Sequence, residues 1–506
     1  MMSGNLSFGR VDLTAEAWPE RAPERIGDAP PFRIAILGDF RGQHGGDALA
    51  GTRGEAIAID RDNLDAVMAR LGVGLQLGAV PGATPLVLSF RSIDDFHPDR
   101  LLETEPFRPL REARRRLSDP ATFPAAAADL GFLAAADLPA TEATPPASSP
   151  DVAAGSPGLL DEILKQTSAR APASADDDRA WRTYLDRITA GHVVSQNPRQ
   201  DEAIAAVDAA TTALLRAILH HPAFQALEAT WRGVDRLTRE LETGQSLTIE
   251  LVDASRAALE ADLVSTTPLD STATCKRLLE DSVDTEGSRP WALLVGLFTV
   301  EPSARDVALL WRLGQVARLA GAPLIAAASP RFVGCDALAV TPDPDDWSVP
   351  PTIDGWAELR RSDEAPFLGL ALPRVSVRAP YGVRSHPIDT FPFEELEATP
   401  AHDDYLWGNP ALAIALVLGR AVASSGRAWT ESYDPEIGDL PQPLEQHADG
   451  PSAKPCAEAL LGQRAVDRLL DAGLLPVVSL RHRDAVRLAQ LRSIAEPPAT
   501  LAVRCE

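Results

Sequence analysis

Cysteine is scarce: four in 506 residues, at Cys275, Cys335, Cys456 and Cys505. None forms a C-x-x-C pair or joins a His/Cys cluster, which argues against a structural zinc site or a disulfide framework and fits a reducing compartment. Basic charge is also in the minority, 48 Lys+Arg against 72 Asp+Glu, for a formal net charge of -24. A protein that coats nucleic acid carries the opposite sign, so nucleic acid is not expected as a partner. Such acidity suits a basic protein partner or a well-solvated surface. No apolar run approaches the roughly 18 residues a membrane span needs. The longest, Ala411 to Leu418, has the length of a core helix. The stretch Met1-Met2-Ser3-Gly4-Asn5 has neither a basic n-region nor an apolar h-region, so a cytoplasmic location is expected.

Catalytic signatures are missing too. The glycine-rich loop Gly38 to Gly46 follows an apolar run, but no Gly-Lys-Ser/Thr or G-x-G-x-x-G accompanies it, and a turn is the simpler reading. There is no G-x-S-x-G, H-E-x-x-H or S-x-x-K. Asp94, Asp95, His97 and Asp99 crowd together as a cation site or general base would. They are equally ordinary turn and cap residues. His220-His221-Pro222 offers two imidazoles, but adjacent helix positions point apart, so a cap is the simpler reading. Neither a cofactor, a metal nor an enzymatic activity is expected.

Apolar content of 45% is ample for a sizeable core, and 506 residues suggest two to four domains. A composition break divides the chain. Residues 125–157 are rich in Ala, Pro, Ser and Thr, reading as a short helix near Leu130 to Leu138 and then an extended linker. The resulting organisation is a first domain over 1–133, a linker over 134–157, a tether over 158–198 and a second domain over 199–506. Within the tether, Trp181, Tyr184, Leu185 and Ile188 have helical spacing.

Leu6, Phe8, Val11 and Leu13 suggest an initial strand. Phe32 to Leu37 reads as a buried strand, Asp60 to Asn63 as the capped start of a helix through Leu71, and Leu86 to Phe90 as another strand. Pro98 opens a further helix with Asp99 in its first turn. Beyond the linker, Phe224, Leu227, Trp231, Val234, Leu237 and Leu241 form one helical stripe. Leu247 to Leu251, Ala292 to Phe298 and Leu324 to Ala327 read as strands, with a helix capped by Ser303 between the last two. This rhythm predicts the α/β (α+β) class, with two domains of mixed sheets flanked by helices and joined by the Ala/Pro-rich linker.

Particular strings carry more than periodicity. Pro31-Phe32-Arg33-Ile34-Ala35-Ile36-Leu37-Gly38-Asp39-Phe40 resembles the opening core strand of the small subunit of the type VI secretion contractile sheath. The segment Asp60 to Asp65, with Asp62 and Asn63, and the segment Phe90 to Asp99, with Asp95, Phe96 and Pro98, are similar to that family's next two motifs. The arginine-rich Leu110 to Leu117 follows in order. Beyond the linker the chain resembles the large sheath subunit. The similarity lies in His221-Pro222-Ala223-Phe224-Gln225-Ala226-Leu227-Glu228 with Trp231-Arg232-Gly233, then Phe367 to Arg374, Pro380-Tyr381-Gly382, Leu406-Trp407-Gly408-Asn409 and Asp439-Leu440-Pro441.

The resemblance implies a mechanical role in which sheath protomers assemble with six-fold symmetry, as a helical tube or ring, around an inner-tube hexamer. Baseplate proteins would be further partners, and contraction would drive the inner tube outward. Leu159-Leu160-Asp161-Glu162-Ile163-Leu164 resembles the N-terminal peptide by which an AAA+ unfoldase grips large sheath subunits, with Leu159, Leu160, Asp161, Ile163 and Leu164 as the binding residues. Its i, i+4 apolar pairs would suit a groove on that partner. The strand Leu6 to Leu13 would link protomers by edge addition. Two departures stand out: the small-subunit part has no clear closing strand after Phe123, and the tail Thr500 to Glu506 holds one short strand at most. An adaptor at the baseplate or sheath end, binding the unfoldase without polymerising, is the alternative.

Overall fold

The computed structural model describes residues 31–42, 56–78, 86–132, 198–264, 268–279, 289–425, 433–447 and 450–502. Fifteen strands run through them: β1 Phe32–Gly38, β2 Ile57–Ile59, β3 Gly74–Leu77, β4 Leu86–Ser89, β5 Leu247–Asp253, β6 Leu293–Val300, β7 Leu324–Ala328, β8 Leu368–Leu372, β9 Val375–Ser376, β10 Trp407–Gly408, β11 Glu436–Ile437, β12 Leu444–His447, β13 Gly450–Ala453, β14 Leu475–Ser479 and β15 Val486–Leu488. The α-helices are α1 Leu64–Leu71, α2 Pro98–Leu102, α3 Arg108–Ser118, α4 Phe123–Asp129, α5 Pro198–Leu219, α6 Pro222–Glu240, α7 Arg256–Leu263, α8 Ala273–Leu279, α9 Ala304–Ala320, α10 Trp356–Arg360, α11 Pro410–Ser425 and α12 Gln463–Asp471.

Nine strands form one sheet in the order β11-β15-β14-β8-β7-β6-β1-β5-β2. Its centre is parallel, from β5 through β1, β6, β7 and β8 to β14. Antiparallel β2 closes one edge, and β15 with β11 the other. The α/β class expected from the sequence stands. The arrangement of its sheets differs from the expected pair: β1 and β2, from before the linker, lie in the same sheet as the strands that follow it. Strand β1 sits between β5 and β6, in register from Phe32 opposite Leu247 to Gly38 opposite Asp253. Residue 133 therefore parts two chain segments that share a sheet.

Strand β1 can take that central place because both its faces are apolar. Ile34 and Ile36 enter a core built with Met68 of α1, Trp231 of α6 and Leu412 and Leu416 of α11. Ala35 and Leu37 enter the opposite core, with Leu259 of α7, Leu310 and Leu313 of α9 and Leu469 of α12. Continuous apolar strands between helical layers are the mark of a parallel sheet covered on both faces.

Local signals place most elements where the sequence puts them. Ser303 Oγ accepts from the Asp306 N–H and caps α9. Pro98 is at the first position of α2. Asn63 precedes α1 as expected, but its side chain accepts from the Asp60 N–H at 3.0 Å and makes no bond to the helix. Of the short helix expected over Leu130 to Leu138, residues 133–138 lie outside the described residues; before them α4 ends at Asp129 and Gly131 turns the chain at φ 79°. Residues Leu6, Phe8, Val11 and Leu13, residues 159–167 and the stripe from Trp181 to Ile188 lie outside the described residues, as do 503–506; residues 500–502 are not in a strand. No single helix among the described residues is long and apolar enough to cross a membrane.

Candidate functional site: the seam between the two segments

The seam is lined with side chains from both segments. At the carboxyl end of β1, Phe40 is fully buried and stands edge-on to Trp231, with ring centroids 5.6 Å apart. Trp231 Nε1–H donates to the Phe40 carbonyl at 3.0 Å, which satisfies an indole buried by α6. Asp39 Oδ1 accepts from the Gly42 N–H at 2.9 Å and shapes the turn after Gly38. Asp253, at the end of β5, accepts from the Phe40 N–H and pairs with Arg41. Burial pushes the Asp253 carboxyl above its usual range, and the Phe40 N–H and Arg41 oppose that.

At the other end of β1, Arg33 is the one charged residue of the strand, and only 2% of it is exposed. Its guanidinium reaches Glu250 on β5 through two bonds, 2.9 and 3.0 Å, stacks 3.9 Å over Trp291 and donates to the Arg289 carbonyl. A planar fork that stays charged suits this bidentate, stacked position.

A third contact joins the Phe90 to Asp99 motif to α6. Phe90 and Phe96 stack at 4.2 Å, and both meet Phe224 edge-on at 5.9 and 5.7 Å. Asp95 folds back onto the Ser92 N–H at 3.0 Å as a cap, and His97 Nδ1 accepts from the Asp99 N–H. Asp99 in turn accepts from the Asp389 N–H at 3.0 Å and from Thr390 Oγ1–H at 2.7 Å. Asp95 and His97 thus serve as caps and Asp99 bonds across the seam, while Asp94 is exposed. The His97 ring stands edge-on to Tyr381, centroids 5.0 Å apart. Burial lowers the His97 pKa despite Asp99 beside it.

Beneath the seam lies a buried charge cluster. Glu228 of α6, fully buried, accepts from Arg232 Nε at 2.7 Å and from Arg378 Nε at 2.8 Å. Arg378 also reaches Glu395 through two bonds, 2.7 and 2.9 Å, and lies 4.4 Å from the Tyr381 ring centre. Burial works against the Arg378 charge, but Glu228 and Glu395 prevail and hold it protonated well above the usual range. Tyr381 donates its N–H to Glu395 at 2.7 Å, and burial pushes its phenol up to about 12. His220 faces Asp404 at 3.3 Å and Glu395 at 3.8 Å, while His221 caps α6 by accepting from the Ala223 N–H. Among the described residues no group of three or more His, Cys, Asp or Glu is placed to hold a metal ion.

Two glycines are there for space. A Cβ on Gly233 would come within 2.4 Å of Leu412, and one on Gly408 within 2.4 Å of Val377. Helix α6 therefore approaches α11, and strand β10 the residue after β9, more closely than a side chain at either glycine would allow. Asn409, next in line, accepts from the Ala411 N–H at the start of α11 and donates to the Gly296 carbonyl of β6. Trp407 Nε1–H donates to the His402 carbonyl at 2.9 Å. Pro380 is buried, and Gly382 closes a small loop by donating to the His386 carbonyl at 3.1 Å. An apolar cavity of about 40 Å³ lies between Gly233, Gly408 and Leu412.

The motif residues singled out in the sequence thus converge on the seam and on the core below it. Asp62 and Asn63 are exceptions: the Asp62 N–H donates to Asp60 Oδ1, and the Asn63 side chain bonds only to Asp60 and Ala58 beside it. Sequence reasoning missed Arg33 with Glu250, Arg378 with Glu395, and Arg114 with Asp208. A charge inside an apolar run was the available signal for Arg33. No local signal marks Arg378, whose partners are 150 and 17 residues away.

Comparison with known proteins identifies both segments that meet at this seam. The chain belongs to the type VI secretion tail-sheath family. The model described as "EvpB/VC_A0108, tail sheath N-terminal domain" matches residues 201–495. The model "Type VI secretion system, VipA, VC_A0107 or Hcp2" matches residues 24–122. The chain is similar to the type VI secretion system sheath protein TssC1 of Pseudomonas aeruginosa, at 30% identity over 303 residues. That match covers 58% of this chain and 61% of the relative. The family resemblance read from the motifs is therefore borne out on both sides of the linker.

Proposed function

We propose that the chain is a structural component of the contractile sheath of a type VI secretion system, a small and a large sheath subunit in one polypeptide. Its work is mechanical: protomers assemble around an inner tube, on a baseplate, and contract to drive the tube outward. It acts without enzymatic chemistry and without a cofactor, in the cytoplasm. The observation that carries this reading is β1 of the small-subunit segment, held between β5 and β6 of the large-subunit segment. Such a strand makes the two parts one building block, as a unit that transmits force requires. The adaptor alternative is not favoured by two sheath matches in one chain.

Further parts of the reading rest on resemblance. Leu159, Leu160, Asp161, Ile163 and Leu164 would engage an AAA+ unfoldase, and Leu6, Phe8, Val11 and Leu13 would link protomers. Negative-stain microscopy of the purified chain tests the main claim: tubes or rings are expected, and strict monomers at every concentration would overturn it. Replacing Leu160 and Ile163 with Asp is expected to abolish unfoldase pull-down while the melting curve stays unchanged.

A further inference from the structure

Residues 377–406, between β9 and β10, hold no strand and one short 3-10 turn at His402–Asp404. Ordered runs of that length without regular structure are uncommon in a compact domain and tend to carry function. This one is a strap, fixed by what it buries. Ile388, Phe391 and Phe393 enter the shared core, and Arg216 of α5 donates to the Glu394 and Leu396 carbonyls. The strap crosses the seam at the start of α2. There Asp99 accepts from the Asp389 and Thr390 N–H groups and from Thr390 Oγ1–H, and the His97 ring stands against Tyr381.

His97 is the titratable group at that crossing, and the cap fixes its neutral tautomer. Nδ1 accepts from the Asp99 N–H at 3.3 Å, so the neutral ring carries its proton on Nε2. A second proton can go only to Nδ1. It would end the cap of α2, because an imidazolium has no acceptor. It would also lie within reach of Asp99 Oδ2, 3.5 Å from Nδ1, and compete with Asp389 and Thr390 for that carboxylate. Burial opposes the charge most, Asp99 favours it, His386 of the strap and Arg232 of α6 oppose it, and Asp94 favours it; the balance lowers the His97 pKa. Tyr381, its phenol pushed up to about 12 by burial, stays neutral, and Arg378 beyond it is paired with Glu228 and Glu395. Because the pKa is depressed when the strap is closed, the open form binds the proton first. The contact is complete above the ordinary imidazole value, about 6.5, and is lost as pH falls through the lower value of the closed form.

We infer that residues 377–406 are an acid-released latch: neutral His97 holds α2 and residues 389–390 together across the seam, and protonated His97 lets that end of the strap go. The latch belongs to the single chain and does not depend on the sheath reading.

Hydrogen exchange of the full-length chain, read by mass spectrometry and corrected for intrinsic rate, tests it. The two conditions are about pH 7.5 and about pH 5, on either side of the ordinary imidazole value and above the carboxylate range. Amide protection over residues 388–393 is expected to fall several-fold at the lower pH, while β6 keeps its own. His97→Asn supplies a capping oxygen that does not titrate, and is expected to give equal protection at both. His220 also faces the strap, at Asp404 and Glu395, and His220→Gln is expected to retain the fall. Unchanged protection in the wild-type chain would overturn the latch whether or not either variant folds. So would a fall shared by β6, an equal fall in His97→Asn, or one abolished in His220→Gln.

Discussion

The first segment is held to the second in two physically different ways. Strand β1 lies in the middle of the sheet, with Ile34 and Ile36 at 0% exposure and its single charge, Arg33, fully engaged by Glu250. Helices α3 and α4 instead rest on α5 through a small core of Leu117, Phe123, Val207 and the three alanines Ala126, Ala127 and Ala203. Their main polar tie, Arg114 to Asp208 at 2.6 Å, has side chains 32% and 20% exposed. Burying an Ile side chain contributes about 1.5–3 kcal/mol, and an alanine methyl far less. The strand is therefore the weld and the helical annex the lighter attachment. The chemistry matches: the bond most expensive to break sits where water is excluded, and the one that can part sits near solvent.

That contrast can be broken by mutation. Arg33→Met leaves Glu250 buried without its partner and should cost about 3–5 kcal/mol, measured by urea unfolding. A loss under about 1 kcal/mol would put the strand and the annex on a par. Acid should act on the buried side as well. Burial would raise the Glu458 pKa, but His402 and Arg374 bring it down to about 2, from 4.5. Because its folded pKa is depressed, the unfolded chain binds the proton first. The stabilisation is complete above about pH 4.5 and is lost as pH falls toward 2, about 3 kcal/mol in all. Glu458→Gln should flatten the stability curve over that window; an unchanged slope would show that the carboxylate contributes nothing.

Trp231→Phe keeps the ring but strips the donor from the Phe40 carbonyl, at a cost of about 2 kcal/mol in the same assay. The smallest effect belongs to the annex. Arg114→Met should cost less than about 1 kcal/mol and less still in high salt. A loss comparable to that of Arg33→Met, insensitive to salt, would show the annex to be as deeply welded as the strand.

Much of the architecture was legible from local pattern. Helix α6 followed from its apolar stripe, α9 from Ser303, and β1, β5, β6 and β7 from apolar runs of strand length. The motif residues were legible as a set, because family strings persist even where their reasons are not local. Their reasons emerge only in three dimensions. Gly233 and Gly408 are needed because Leu412 and Val377 press against them. Glu228 is needed because Arg378, 150 residues on, must be neutralised in the core. Helix α5 went unread because its alanine-rich turns carry little apolar contrast.

The amino-acid order alone determined that this is an α/β chain in two segments with sheath-type motifs, since periodicity, caps and turns act over a few residues. Where β1 goes was decided by the tertiary structure. A strand apolar on both faces fits any buried parallel position equally well. Only the facing Glu250, Trp231 and Trp291, more than 190 residues further on, select the slot between β5 and β6.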